Sequence, residues 1–216
     1  NEERDLGVCL IDIGCGTTDI AIFTDGTIKH TAVIPIGSQM ITNDIRIILC
    51  TSLDAAEEIK IQYGCVSSDN DTDVKIPVPS VSDKPDTETT RTILSQIIAA
   101  RVNEIFDAIQ QEITNSGYSS KIRAGIVFTG GGAKLEGLDS FAESYFQKPS
   151  RIGSPKSIKG LEDLRGKTRY STAVGLLLYR YKELILMSSK NKYTSKIGSM
   201  LDRYAKKLSD YFQKEL

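Results

Sequence analysis

Short apolar runs separated by glycine-bearing turns predict a strand-rich start to this chain. Residues 7–13 form a continuous apolar run, and residues 19–24 and 27–36 are strand-like as well. Asp25 and Gly26 lie between the second and third runs and are typical of a tight hairpin turn. The pattern therefore predicts strand, glycine-rich loop, strand, turn and strand at the start of the chain.

After these strands, apolar residues recur at helical spacing. Ser38 is a suitable N-cap for a helix, and a second helix is predicted to open at Leu53 and to end at Gly64. Residues 88–114 carry the longest apolar stripe and predict the longest helix. The stripe consists of Ile93, Ile97, Ile98, Val102, Ile105, Phe106, Ile109 and Ile113.

The remainder of the chain adds one more buried strand and further helices. Residues 124–128 predict a strand that ends at three glycines, and helices are predicted at 138–146 and 171–186. Between them and the first helices, residues 66–90 are rich in Ser, Asp, Thr and Pro, with a strand-like piece at 74–81. This composition predicts a surface lobe of loops and strands.

Composition is that of an ordinary globular protein: the chain has 216 residues, of which 40% are hydrophobic and 25% charged. The formal net charge of -1 gives no general attraction to nucleic acid, so no nucleic-acid partner is predicted. Cys9, Cys15, Cys50 and Cys65 form no CxxC pair and the lone His30 completes no metal site with them, which favours a reducing cytoplasm. The sequence lacks an apolar run long enough to span a bilayer and lacks a signal peptide, and its start without Met suggests a fragment.

The first motif with chemical potential is the octapeptide DIGCGTTD. Its glycines allow backbone N–H groups to approach an anion, and its threonines can donate further hydrogen bonds. Its two carboxylates would repel a bare triphosphate, so they fit a phosphate site only with Mg²⁺ held through water near Asp12. A tight hairpin with glycines at positive φ is the alternative, and an acid–base pair fits the glycines less well. The candidate residues are Asp12, Gly14, Gly16, Thr17, Thr18 and Asp19.

Two further pieces have weaker signals. Gly130, Gly131 and Gly132 follow an apolar strand and would let a flat ligand or a phosphate touch the backbone, with a flexible connection as the alternative. Glu57 and Lys60 lie three residues apart on one helical face and could bind a ribose or a base edge. An exposed ion pair is the simpler interpretation of that pair when it is taken alone.

The order of the three pieces resembles the second half of the actin/Hsp70/hexokinase superfamily, and longer stretches narrow the resemblance to the FtsA cell-division family. HTAVIPIGSQMITNDI, AAEEIKIQYGCVSS, AGIVFTGGGAKLEGL and YSTAVGLLLY carry it over nearly the whole chain. The resemblance implies ATP and Mg²⁺ as cofactors. It assigns the octapeptide to the phosphates and Mg²⁺, Glu57 and Lys60 to the ribose and adenine side, and the three glycines to the adenosine.

The same resemblance implies an α/β fold, the ribonuclease H-like nucleotide-binding half of an actin-like protein with a smaller α+β lobe. Residues 1–54 and 115–187 would form the ribonuclease H-like subdomain and 55–114 the lobe, followed by a linker at 188–195 and an amphipathic helix at 196–216. The family's first phosphate loop belongs to its N-terminal half and is not in this sequence. Hydrolysis would therefore be slow or absent.

The end of the chain has an apolar face and a basic face at helical spacing. The apolar face consists of Ile197, Met200, Leu201, Tyr204, Leu208, Tyr211, Phe212 and Leu216. Such a helix fits binding in the plane of an anionic membrane, and a helix docked on the core is the alternative. FtsA-like proteins end in a membrane-targeting helix, so the resemblance implies a peripheral protein on the cytoplasmic face of the inner membrane at the division site.

A charged pair on the longest helix, Arg101 and Glu104, is a candidate partner surface. Taken alone it is a surface ion pair. By resemblance it would bind the C-terminal peptide of the tubulin-like protein FtsZ. The resemblance also implies self-association into actin-like filaments and contacts with other divisome proteins. A sugar kinase or an Hsp70-like chaperone of the same superfamily is the alternative. However, no catalytic base or sugar pocket can be located for a kinase, and the chain ends too early for a chaperone's substrate domain.

Overall fold

The structure is a computed structural model that describes residues 2–67, 74–81, 85–155 and 166–190. It divides into two compact units, Asn1–Gly153 and Ser154–Leu216. The strands are β1 (Val8–Ile13), β2 (Thr18–Thr24), β3 (Thr27–Ile34), β4 (Lys75–Val78), β5 (Thr87–Thr90), β6 (Ile126–Thr129) and β7 (Ser150–Ile152). The α-helices are α1 (Glu2–Leu6), α2 (Gln39–Leu49), α3 (Leu53–Tyr63), α4 (Arg91–Asn115), α5 (Leu138–Phe146) and α6 (Ser171–Lys190). Short 3₁₀ turns lie at Ser119–Lys121, Gly132–Lys134 and Thr168–Tyr170.

The first unit is built on a five-stranded mixed sheet with the strand order β3-β2-β1-β6-β7. The hairpin strands β1, β2 and β3 pair antiparallel, whereas β6 pairs parallel to β1 and to β7. This confirms the predicted α/β class and the three N-terminal strands, with bounds that differ by one or two residues. Because β1 and β6 are parallel neighbours, the loops that follow them emerge at the same edge of the sheet.

The core of this unit joins buried side chains of the sheet to buried side chains of α2, α3, α4 and α5. Phe106 of α4 is fully buried, and its ring centroid lies 5.7 Å from that of Phe128 on β6 and 4.9 Å from that of Phe146 on α5. The only histidine, His30 on β3, contacts Glu112 of α4 through Nε2 at 2.8 Å. Aromatic contacts and this polar contact thus fix the long helix across the sheet.

The prediction for the start of the longest helix was wrong by three residues. Thr87–Thr90 form a strand that pairs antiparallel with β4, since β-branched threonines favour extended backbone. The Thr90 hydroxyl then accepts a hydrogen bond from Ile93 N and caps α4. With this start, Leu94 faces the core and Ile93 is 45% exposed, so Ile93 does not belong to the buried stripe.

Two elements of the first unit were missed. The helix α1 is polar and only five residues long, but its carbonyl groups accept hydrogen bonds from Asp25 N and Gly26 N of the β2–β3 turn. The strand β7 has three residues, which is too short for an alternating pattern to show in the sequence. Its place in the sheet is set by pairing with β6, a tertiary contact that local sequence does not encode.

The second unit contains one described helix, α6, which begins after a 3₁₀ turn and reaches Lys190. The helix includes residues 188–190, the first three of the predicted linker at 188–195. The rest of the linker and the predicted membrane-binding helix at 196–216 lie outside the described residues. The first unit holds both the sheet and the described parts of 55–114, and the boundary at Gly153 falls inside the range predicted for the subdomain. The finer division into subdomain and lobe stays a prediction.

Candidate functional site

The loop that joins β1 to β2 is a short turn closed by a hydrogen bond from Gly14 N to Thr17 O at 2.8 Å. Neither glycine of this turn has a positive φ, so the alternative hairpin that requires positive φ does not describe it. A Cβ on Gly16 would meet no atom within 4 Å. The fold therefore leaves open space at Gly16, where a ligand could approach the backbone.

The two threonines of the octapeptide have different surroundings. Thr18 is fully buried and donates its hydroxyl hydrogen to Ile36 O at 2.8 Å, so it holds the β2 strand to the chain after β3. Thr17 is exposed, and its hydroxyl lies 3.3 Å from Oδ2 of Asp19. Of the pair, Thr17 is the threonine that a ligand in solution can reach.

The start of α2 is hydrogen-bonded to the octapeptide loop. Ser38 N donates to Gly14 O and Gln39 N donates to Cys15 O, both at 2.9 Å. A Cβ on Gly37 would lie 2.4 Å from Cys15 O, so only glycine fits there. Ser38 is the N-cap of α2, as predicted, but its side chain makes no capping hydrogen bond. The loop carbonyls Gly14 O and Cys15 O instead accept the N–H groups of Ser38 and Gln39.

The three glycines after β6 divide into two that pack and one that is open. Gly130 has φ +90°, and a Cβ on it would lie 2.3 Å from Oδ1 of Asp12. A Cβ on Gly132 would lie 2.4 Å from Cγ2 of Ile13. Gly131, between them, would meet no atom within 4 Å. The second glycine loop is thus packed onto the end of β1, beside the first, and the flexible-connection alternative does not describe it.

Glu57 and Lys60 form an ion pair on α3 with Nζ to Oε2 at 2.7 Å. Lys60 Nζ also donates to Ser38 O at 3.3 Å and to Thr42 Oγ1 at 2.8 Å, and Thr42 donates its hydroxyl hydrogen to Glu57. Burial alone would raise the pKa of Glu57, but the hydrogen bonds from Lys60 and Thr42 and the charge of Lys60 outweigh it and lower the pKa. Through Ser38, this pair is connected to the octapeptide loop.

Arg101 and Glu104 on α4 contact each other, as their spacing predicts. Arg101 also forms a two-point contact with Asp44 of α2, from Nε at 2.6 Å and from Nη2 at 2.8 Å. These hydrogen bonds raise the pKa of Arg101 above its usual value. The Arg101 side chain is only 19% exposed, so the pair is a link between helices and more than a surface ion pair.

The structure thus brings the three predicted pieces to neighbouring positions. The octapeptide loop and the second glycine loop share one sheet edge, and the start of α2 connects the first of them to Glu57 and Lys60. Sequence reasoning missed Gly37, Thr42 and Asp44. The signal for Gly37 was a glycine directly before a predicted helix, whereas nothing local distinguishes Thr42 or Asp44 from other polar helix residues. The predicted membrane-binding residues of 196–216 lie outside the described residues.

The donor set around Asp12 is consistent with Mg²⁺ held through water. Asp12 and Asp19 are cross-strand neighbours in the β1–β2 register, and carboxylate and water oxygens are the ligands that Mg²⁺ prefers. Within the described ranges, no group of three or more His, Cys, Asp or Glu side chains could hold a metal directly. Within the same ranges no helix is long and apolar enough to cross a membrane.

Comparison with known proteins decides the family. The sequence profile described as "Cell division protein FtsA" matches residues 9–175. The chain belongs to the FtsA family. Among curated FtsA proteins, that of Pseudomonas aeruginosa is 50% identical over 182 residues, which cover 82% of this chain and 43% of the relative. That of Escherichia coli is 38% identical over 225 residues, covering 99% of this chain and 52% of the relative. This FtsA chain spans about half the length of the curated relatives it matches.

Solved structures confirm the actin-like fold of this FtsA chain. MreB5 of Spiroplasma citri bound to ADP matches with a TM-score of 0.69 at 21% identity, covering 88% of this chain and 57% of that one. The MamK double helical filament matches with a TM-score of 0.57 at 18% identity, covering 76% of this chain and 54% of that one. At these identities the likeness shows the fold alone. The family match favours a cell-division protein over the sugar-kinase and Hsp70-like alternatives.

Proposed function

We propose that this chain is the second nucleotide-binding half of an FtsA protein and that it binds ATP with Mg²⁺. The supporting observation is that two glycines, Gly16 and Gly131, lie in adjacent loops where an added Cβ would meet no atom within 4 Å. The fold does not require glycine at either position, and because both open positions lie in neighbouring loops at one sheet edge, a single ligand could touch the backbone of both. The fold neighbour MreB5 was solved with ADP and with AMPPNP, which supports the same class of ligand.

In this proposal different residues of the chain bind different parts of the nucleotide. Backbone N–H groups near Gly14 and Gly16, with the Thr17 hydroxyl, hold phosphate oxygens, and Asp12 and Asp19 hold Mg²⁺ through water. Glu57 and Lys60 serve the ribose side, and the loop of Gly130, Gly131 and Gly132 borders the adenosine. Mg²⁺ would neutralise phosphate charge that the two carboxylates otherwise repel. Hydrolysis would be slow at most.

Alanine substitutions at the open glycines test the site without disturbing the fold. Gly16→Ala and Gly131→Ala place a methyl group in empty space, so stability should change little, whereas ATP affinity should fall by about tenfold or more. Gly175→Ala on α6 is the matched control, since a Cβ there also meets no atom within 4 Å. Affinity is measured by isothermal titration in the longest natural protein that contains this chain. Affinities equal to that of the control would rule out the site.

We further propose that the protein ties FtsZ filaments to the cytoplasmic face of the inner membrane at the division site. The family match supports the division role, and the basic amphipathic pattern of 196–216 supports a peripheral membrane contact. The MamK filament supports, by fold alone, self-association into actin-like filaments. Contacts with other divisome proteins belong to the same proposal.

Co-sedimentation with vesicles tests the membrane part. The protein with and without residues 196–216 is mixed with vesicles containing anionic phosphatidylglycerol and with neutral phosphatidylcholine vesicles. We expect the intact protein to pellet with the anionic vesicles and the shortened one to stay in the supernatant, because the basic face adds attraction to anionic lipid. Equal pelleting of both proteins would exclude this membrane role for the tail.

The FtsZ contact requires a peptide that can share Arg101 with Asp44 and Glu104. Binding of a synthetic FtsZ C-terminal peptide is measured by fluorescence anisotropy. Glu104→Ala leaves the Asp44 contact in place and removes an acidic neighbour, so an acidic peptide should bind more tightly, whereas a peptide that uses Glu104 as its acceptor should bind more weakly. No change in affinity would place the FtsZ contact elsewhere on the protein.

A further inference from the structure

Thr42 lies at the centre of a polar network beneath the proposed ribose side of the site. It is fully buried on α2, yet its hydroxyl contacts both charged groups of the α3 pair. The hydroxyl donates its hydrogen to Oε2 of Glu57 and accepts one from Lys60 Nζ at 2.8 Å. A threonine hydroxyl has one hydrogen to donate and can accept at the same time, so both contacts form together.

Lys60 has no donor left for a ligand. Its ammonium has three N–H groups, and three acceptors lie within reach: Glu57 Oε2 at 2.7 Å, Thr42 Oγ1 at 2.8 Å and Ser38 O at 3.3 Å. Its side chain is only 10% exposed. A nucleotide that bound Lys60 directly would have to replace one of these internal bonds.

Glu57, unlike Lys60, keeps one oxygen available for a ligand. Both of its contacts go to the same oxygen, Oε2, and its side chain is 43% exposed. Among the described residues Oε1 has no hydrogen-bond or ion-pair partner, so that oxygen can accept a hydrogen bond from a ligand hydroxyl. The carboxylate is thus held by one oxygen and open at the other.

We infer that Thr42 and Lys60 are positioning residues that act on the ligand only through Glu57, whose Oε1 accepts a hydrogen bond from a ribose hydroxyl. The inference rests on the proposed nucleotide function and changes the role of one predicted site residue, since Lys60 becomes a support for Glu57. It also adds Thr42, for which the sequence motifs gave no role. Ser38 O, which Lys60 contacts, lies at the α2 start, whose N–H groups bond to the octapeptide loop, so hydrogen bonds connect the two sides of the proposed site.

A double-mutant cycle distinguishes a residue that acts through Glu57 from one that contacts the ligand. The variants are Thr42→Val, which keeps the shape and removes the hydroxyl, Thr42→Ser, which keeps the hydroxyl, Lys60→Gln and Glu57→Ala. Thr42→Val and Lys60→Gln are each also made in the Glu57→Ala background. Affinities for Mg²⁺-ATP and for inorganic tripolyphosphate, which has no ribose, are measured by isothermal titration in the longest natural protein that contains this chain.

We expect Thr42→Val and Lys60→Gln each to weaken ATP binding by about five- to tenfold and Thr42→Ser by less than about twofold. Tripolyphosphate affinity should not change in any variant. In the Glu57→Ala background the added substitutions should cost no further affinity. Lys60→Gln and Thr42→Ser keep the test decisive if Thr42→Val does not fold.

Three results would overturn the inference while leaving the nucleotide proposal intact. ATP could bind wild type and Thr42→Val equally, Lys60→Gln could lose further affinity in the Glu57→Ala background, or tripolyphosphate affinity could fall in parallel with ATP affinity. The first result removes the positioning role of Thr42, the second shows a direct Lys60 contact, and the third shows a general effect on the fold. Wild-type protein that binds neither ATP nor tripolyphosphate would instead reject the nucleotide proposal itself.

Discussion

Two charged pairs with the same helical spacing, Glu57–Lys60 on α3 and Arg101–Glu104 on α4, both contact α2 and yet end in different states. In the first pair the partner on α2 is the neutral Thr42, which leaves one carboxylate oxygen open. In the second the partner is the acidic Asp44, which takes two donors of the arginine. The third residue, on a neighbouring helix, therefore decides whether a charged pair is open to a ligand or engaged within the fold.

The largest expected effect concerns the engaged pair. Asp44→Ala removes the two-point acceptor and leaves Arg101, whose side chain is 19% exposed, with Glu104 alone. We expect the free energy of unfolding to fall by about 1–3 kcal/mol, because the charged group of a mostly buried side chain loses two hydrogen bonds. Urea denaturation followed by circular dichroism measures this loss. A loss below about 0.5 kcal/mol would mean that Arg101 is not engaged and that the comparison fails.

The second effect concerns the open pair. Thr42→Val should lower the free energy of unfolding by about 1 kcal/mol, since Glu57 can be hydrated and Lys60 keeps two acceptors. Thr42→Ser, which keeps the hydroxyl, should lose less than about 0.5 kcal/mol. The same denaturation series gives both values. If Thr42→Val cost more than Asp44→Ala, the open pair would be the more tightly engaged of the two.

The third effect depends on pH. The pKa of Glu57 is lowered in the folded state from its ordinary value of 4.5, so the carboxylate stabilises the fold above that value and this contribution is lost as the pH falls through the folded pKa. The difference in Tm between wild type and Glu57→Gln should therefore be constant from about pH 7 to pH 5.5 and shrink below about pH 4.5. The same comparison in the Thr42→Val background should show a smaller pH dependence. A difference that grows on acidification would contradict the lowered pKa.

The smallest effect belongs to the exposed member of the engaged pair. Glu104 is 61% exposed and shares Arg101 with Asp44, so Glu104→Ala should change the free energy of unfolding by less than about 0.5 kcal/mol. This variant is the control for Asp44→Ala, because both remove one carboxylate from the same arginine. If both substitutions lowered the free energy of unfolding equally, the Asp44 contact from α2 would be no more important than the Glu104 contact within α4.

Local sequence predicted the strands of the hairpin and the long helix because their apolar spacing is regular over many residues. It failed where three-dimensional contacts determine the structure. Thr87–Thr90 became a strand through pairing with β4. Ser38 is the predicted N-cap of α2, but its side chain does not cap the helix, and Gly14 O and Cys15 O accept the N–H groups of Ser38 and Gln39. The open glycines could be predicted as site candidates, but their division into packed and open ones required the coordinates of β1.

The two charged pairs and their partners on α2 also show what sequence alone could not predict about the candidate site. Glu57–Lys60 and Arg101–Glu104 are visible in the sequence because three-residue spacing places each pair on one helical face. Thr42 and Asp44 are not, because the contacts that give them importance come from α3 and α4. A motif identifies residues of the right type, and only the packing of helices shows which of them remain available.

The parallel pairing of β1 with β6 has a consequence for how the protein is made. Cys9 pairs with Ile126, so the inner edge of β1 has no partner until most of the first unit has left the ribosome. During that interval an apolar strand edge is exposed, which is a template for association with other chains. Premature termination before β6 should thus yield an aggregation-prone nascent product in which Asp12 and Gly130 never meet.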